Sequence, residues 1–147
     1  MGEIMNNKEI DTSTIYFSYK HEAQNSAKSI ANIFRTYSGD RLNIVLPDVD
    51  SPPINYHNWI TERLKSSDLL LLLFFMPYMS PDWNLFEVGF FSGYHDDRPI
   101  ICFVPPEMEL PEFIKHYHVV TADLTRMRQF ITDFFTTDHI TKKKTNQ

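Results

Sequence analysis

Glu87 is the only charged residue in the nine-residue run Trp83-Asn84-Leu85-Phe86-Glu87-Val88-Gly89-Phe90-Phe91. Taking an acid out of water among aromatics is costly unless it is paired or opens onto a cleft. Sites that need a tuned carboxylate accept that cost, which makes Glu87 the leading candidate for chemistry. The chemistry open to such a group is electrostatic stabilisation of a developing positive charge, or proton transfer. Trp83 lies one helical turn earlier and on the same face, so it can wall off whatever Glu87 acts on. Residue type alone leaves the plain alternative open, a Glu on the wet edge of a helix.

The elements that must position these residues alternate along the chain. Thr14-Ile15-Tyr16-Phe17-Ser18-Tyr19 is β-rich and reads as a first strand. Ala23, Ala27, Ile30, Ala31 and Phe34 recur at helical spacing, an amphipathic helix ending near Gly39. Asn43 to Leu46 is a short second strand. The segment Pro47-Asp48-Val49-Asp50-Ser51-Pro52-Pro53 is expected to be a loop, because its prolines remove donors and fix φ. Trp59, Ile60 and Leu64 mark a second helix to about Ser67. Leu69 to Phe75 is a continuous apolar run, as a strand buried on both faces requires. A helix over Trp83–Tyr94, a strand over Pro99–Val104 and a short strand over His118–Thr121 follow. Met127, Phe130, Ile131, Phe134 and Phe135 then give a closing amphipathic helix. Strands alternating with helices predict an α/β, flavodoxin-like, five-stranded parallel sheet of order 2-1-3-4-5, with helices on both faces and ligands at the carboxyl ends of the strands.

Those ends carry Ser18-Tyr19-Lys20-His21, the proline-rich loop with Asp48 and Asp50, and the approach to Trp83 and Glu87. Of the four glycines, Gly89 and Gly93 are four apart and are expected to let their helix pack closely on the sheet. No GxGxxG, P-loop or GxSxG pattern is present, which removes the usual dinucleotide, phosphate-cradling and serine-elbow signatures. An acidic pair after the first strand, as in receiver-like domains, is also missing. Six histidines are scattered without a completing Cys or carboxylate set, so no metal is expected.

At 147 residues the chain suits one domain. The expected division is a flexible segment over 1–12, a domain over 13–138 and a basic polar tail over 139–147. The net charge of −5 argues against a nucleic-acid surface. The longest apolar run, Leu69 to Met76, is too short to span a bilayer, so no membrane role is expected. The single cysteine, Cys102, sits in an apolar run and reads as an inert buried thiol; with no intrachain disulfide possible, a cytoplasmic location is expected.

Taken together, the boxes resemble a TIR (Toll/interleukin-1 receptor) domain of the bacterial type over roughly Ser13 to Phe135. The strand end Ile15-Tyr16-Phe17-Ser18-Tyr19 resembles the family's first box. The Pro47 segment stands in the place of the BB loop, Ser66-Ser67-Asp68 precedes the Leu-rich strand, and Ser80-x-x-Trp83-x-x-x-Glu87 opens the third helix. The chain departs from the family pattern in three ways. Pro52-Pro53 replaces the usual BB-loop motif, Asn84 stands where Cys is common, and there is no late Phe-Trp box. The resemblance implies an NAD+ glycohydrolase or cyclase that breaks the nicotinamide–ribose bond, giving nicotinamide and ADP-ribose or a cyclic ADP-ribose isomer, in bacterial antiviral defence. Glu87 would be catalytic, and Phe17, Ser18, Tyr19, Asp48, Asp50 and Trp83 would contact substrate. NAD+ would be the substrate, with no separate cofactor. Self-association would run through TIR–TIR contacts that include the Pro47–Tyr56 loop. Two alternatives stand beside this: a non-enzymatic interaction module, and a nucleoside deoxyribosyltransferase-like enzyme sharing the Glu87-x-Gly89 pattern.

Overall fold

The structure is a computed structural model, and it describes residues 12–51, 54–75 and 82–136. Five parallel strands, β1 (Ser13–Ser18), β2 (Leu42–Val45), β3 (Leu69–Leu73), β4 (Ile100–Val104) and β5 (His118–Thr121), form one sheet in the order β2-β1-β3-β4-β5. The connections carry α1 (Gln24–Ser38), α2 (Pro47–Asp50), α3 (Tyr56–Ser66) and α4 (Asp82–Tyr94), and α5 (Leu124–Thr136) closes the described chain. This is the flavodoxin-like arrangement that the alternating pattern predicts. No helix among the described residues is long and apolar enough to cross a membrane. The 1–11 segment and the basic tail lie outside the described residues.

Strand alternation sorts the core into two layers. Ile15, Phe17, Leu69, Leu71, Leu73 and Phe103 face α1 and α5, where Phe34 and Ile131 meet them. Tyr16, Leu70, Leu72 and Cys102 face α3 and α4, against Ile60, Leu64, Val88 and Phe91. Successive side chains of a strand point to opposite faces, and both faces are covered, so β3 must be apolar at every position. Burial pushes the Cys102 thiol up to about 12, which leaves it uncharged and unreactive.

Local chemistry sets the junctions. α1 ends where Gly39 adopts φ 64° as its C-cap, a conformation that glycine reaches without a Cβ penalty. Asp68, just before β3, accepts the Thr14 N–H at 2.8 Å, so the Ser66-Ser67-Asp68 box ties the start of β3 to β1. Burial of Ser67, whose Oγ donates to the Arg63 carbonyl at 2.6 Å, completes that corner.

Two expectations are corrected. The first part of the proline-rich segment is not an irregular loop: Pro47–Asp50 forms one helical turn. Proline at a first helical position lacks an N–H that would have had no helical partner anyway, so it starts a turn as readily as it breaks one. The Asp50 N–H donates to the Leu46 carbonyl at 2.8 Å, and the Asp50 carboxylate accepts the Leu46 N–H at 2.8 Å. Pro52 and Pro53 lie outside the described residues. Gly89 and Gly93, expected against the sheet, lie on the exposed face of α4, and a Cβ built at either meets no atom within 4 Å among the described residues. The face packed on the sheet is formed instead by Asn84, Glu87, Val88 and Phe91. Gly89→Ala is therefore expected to stabilise the fold by roughly 0.5–1 kcal/mol, through removal of unfolded-state freedom in mid-helix. A rise in the urea midpoint checks it.

Candidate functional site

Glu87 sits on the inward face of α4 and is 1% exposed. Its partners come from the β1 residues that share this side of the sheet. The Tyr16 hydroxyl donates to Glu87 Oε2, and Ser18 Oγ donates to Oε1 at 2.7 Å. Trp83 Nε1–H donates to Oε2 at 2.9 Å from one turn earlier on α4. Asn84, 5% exposed, donates to Ser18 Oγ at 2.8 Å. A serine oxygen that accepts from Asn84 turns its own proton toward Glu87, so the chain Asn84–Ser18–Glu87 has a fixed direction.

None of these partners carries a positive charge. Burial pushes the Glu87 carboxyl from its ordinary 4.5 up to about 7; the bonds from Tyr16, Ser18 and Trp83 pull it down, and the Asp48 charge adds to the rise. All three donors favour the ionised form. Both Glu87 oxygens are thus oriented, and the group changes charge near neutral pH. Burial first, and then Glu87, push the Tyr16 phenol far above its usual range, so Tyr16 stays a donor. Tyr16→Phe removes one donor from a buried carboxylate, and a hydrogen bond to a charged group is worth about 1.5–3 kcal/mol. Any activity that needs ionised Glu87 should then have its rising pH limb displaced upward by at least about one pH unit. A kcat/KM profile measures it, and an unmoved limb would contradict the role given to Tyr16.

Glu87 forms the floor of a cleft of ≈ 290 Å³ whose walls include Tyr19, Lys20, His21, Pro47, Asp48, Tyr56 and Trp83. These residues gather where the carboxyl ends of β1 and β2 meet the start of α4, the ligand edge of such sheets. Trp83 stacks on Phe86 with ring centres 4.9 Å apart and faces Tyr56 at 6.1 Å, giving the cleft an aromatic side. Asp48 anchors another part of the lining. It accepts from the Tyr19 hydroxyl, from His21 Nδ1 at 2.9 Å and from Gln24 Nε2 at 2.9 Å.

The residues expected to contact substrate divide accordingly. Tyr19, Asp48, Trp83 and Glu87 line the cleft. Ser18 does not line it but holds Glu87 from behind. Phe17 does not reach it at all. It is 0% exposed and packs edge-on against Phe34 at 5.8 Å on the far side of the sheet, because it has the opposite strand parity to Tyr16 and Ser18. The Asp50 carboxylate is engaged by the backbone of its own turn. Tyr16 and Asn84 were missed, although Tyr16 could have been found by stepping two residues back from Ser18 along one face. His21 and Tyr56, unremarkable as isolated residues, become visible only when the loops are brought together. Among the described residues no group of three or more His, Cys, Asp or Glu side chains is arranged to hold a metal ion.

Solved structures share this architecture. The chain is similar to the CMP N-glycosidase BcmB of Clostridium botulinum, with a TM-score of 0.58 and 12% identity over 83% of this chain and 99% of that one. It is also similar to a 2-desoxiribosyltransferase of Leishmania mexicana, with a TM-score of 0.50 and 16% identity over 76% of this chain and 75% of that one. The TIR domain of a Toll-related receptor from Hydra magnipapillata aligns with a TM-score of 0.49 and 17% identity over 71% of this chain and 82% of that one. No family model and no curated protein matches the sequence. Likeness at these identities establishes the fold, and the chemistry has to be argued from the cleft.

Proposed function

We propose that this protein is an N-glycosidase acting on a nucleotide, with NAD+ as substrate and the nicotinamide–ribose bond as the bond broken. The observation that carries the reading is Glu87, a buried carboxylate with both oxygens held by hydrogen-bond donors and with a cleft above it. Nicotinamide in NAD+ is already cationic and departs neutral, so it needs no acid. As the C1′–N bond lengthens, positive charge builds on the ribose in an oxocarbenium-like transition state. A carboxylate fixed beneath that carbon stabilises the charge without having to reorganise, and it does so most strongly where water is scarce. Trp83 supports this twice, donating to Glu87 and lining the aromatic side against which a base or ribose can rest.

Two solved enzymes with this fold, one named for N-glycosidase action on CMP and one for desoxyribosyl transfer, add support for glycosyl chemistry as the class. The resemblance to bacterial TIR domains narrows the class to NAD+, with ADP-ribose or a cyclic isomer as the second product and antiviral defence as the setting. Self-association belongs to the same proposal. Val49, Ile54 and Tyr56 expose apolar surface, and Tyr56 also lines the cleft. Incubation of concentrated protein with NAD+, followed by chromatography for nicotinamide, tests the reading. Absence of nicotinamide even after forced oligomerisation would count against it.

A further inference from the structure

The cleft lining holds a second titratable set that the chemistry above leaves unused. His21 begins the short 3-10 turn His21–Ala23, closed by the Ala23 N–H donating to the Lys20 carbonyl at 2.8 Å. Its Nδ1 lies 2.9 Å from Asp48 Oδ2. With a carboxylate as partner, Nδ1 carries a proton and donates. Asp48 is itself immobilised by the Tyr19 hydroxyl and by Gln24 Nε2, so the imidazole is held from a braced carboxylate. A third group that fixes the tautomer and orientation of a histidine is the arrangement that makes the other ring nitrogen useful for proton transfer. The His21 side chain is 77% exposed and lines the same cleft as Glu87, so a bound nucleotide can reach it. The other titratable groups of the cleft lining are Lys20 and Glu22 on either side of it in the chain, Tyr19 against Asp48, and Tyr56 and Glu87.

A lone carboxylate suffices only when the leaving base is already cationic. A neutral base would have to leave as an anion unless a proton reaches it as the bond breaks, and Glu87 in its ionised form has none to give. We propose that the Asp48–His21 pair is an acid–base centre that extends the reaction to nucleotides whose departing base is neutral, such as a pyrimidine nucleoside monophosphate. The proposal rests on the N-glycosidase reading of Glu87. In the step, the C1′–N bond breaks and its electron pair stays with the base, which takes the proton from His21 Nε2. Water adds its oxygen to C1′, and the proton it gives up returns to Nε2. The sum is water plus nucleotide giving the free base and the sugar phosphate, with His21 restored and Glu87 unchanged.

The experiment compares release of nicotinamide from NAD+ with release of cytosine from CMP, for wild type, His21→Ala and Asp48→Asn. General acid catalysis contributes about 10²–10⁴-fold. The expected result is that His21→Ala lowers cytosine release at least about 10²-fold more than it lowers nicotinamide release. Asp48→Asn should lower the ratio of cytosine to nicotinamide release in the same direction, by less than His21→Ala does. Nicotinamide release without cytosine release by the wild type overturns this proposal and leaves the reading of Glu87 standing. An equal loss on both substrates in His21→Ala also overturns it, since an acid for the leaving base has no task with NAD+. Release of neither base by the wild type overturns both.

Discussion

Glu87→Gln should yield a folded protein that releases base at least about 10²–10³-fold more slowly than wild type, the loss typical when one charge-stabilising group is taken from a transition state. The substitution keeps the shape of the side chain and removes its charge. Two of the three hydrogen bonds to Glu87 can be re-formed. With its amide oxygen in the place of Oε2, the introduced glutamine accepts from Trp83 Nε1–H, which has no alternative to donating, and from Tyr16. Its NH2 then donates to the second lone pair of Ser18 Oγ, the first being taken by Asn84, and the Ser18 hydroxyl turns its proton away from residue 87. Loss of activity in a variant that still unfolds cooperatively therefore reports loss of charge and not loss of structure. The check is a steady-state rate beside a thermal unfolding curve of the same preparation. Full activity in the variant would remove Glu87 from the chemistry.

The second large effect is on stability, and it has a definite sign. Glu87 has its folded-state carboxyl raised from 4.5 to about 7, chiefly by burial. An acid whose folded value is raised binds its proton more tightly in the native state. The stability this gives is fully present below the unfolded value, and it is lost as pH rises through about 7. The displacement corresponds to about 3 kcal/mol in total, of which about 2–3 kcal/mol falls between pH 5 and pH 8. Wild type should therefore lose that much unfolding free energy over the interval, beyond whatever Glu87→Gln loses, because glutamine does not titrate. Urea unfolding of both proteins at the two pH values measures the difference. Parallel curves for the two proteins would show that Glu87 is solvated in the folded state, against its burial. An ionised Glu87 among Trp83, Phe86 and Phe90 near neutral pH therefore comes at a cost to the fold.

The fold was legible because its signals are periodic. Leu69 to Leu73 admits no polar residue, since both faces of β3 are covered, and α1 repeats its apolar positions at helical spacing. Glu87 was legible because a charge inside an aromatic run is an anomaly in one dimension. Its partners were not, because they are ordinary residues made special by contacts across the sheet: Tyr16 and Ser18 stand 71 and 69 positions away in the chain. Phe17 was misplaced because a sequence box treats neighbours as a unit, whereas a strand sends them to opposite faces. Asp50 shows the other limit. An acid in a turn-rich segment reads equally well as a ligand contact and as a cap, and only the 2.8 Å bond from the Leu46 N–H decides for the turn. Gly89 and Gly93 had the spacing of a packing face but fall on the outer side, since the spacing of two residues fixes that they share a face and not which face it is.

Glu87 is proposed to drive the breaking of the bond between ribose and a departing base. The most direct test is a chromatographic time course of NAD+ at pH 8 with wild type and Glu87→Gln side by side, both shown to be folded. Nicotinamide is expected from the wild type, matched mole for mole by ADP-ribose or a cyclised form of it, with a rate lower by at least about 10²-fold from the variant. Nicotinamide release at equal rates from both proteins would contradict it.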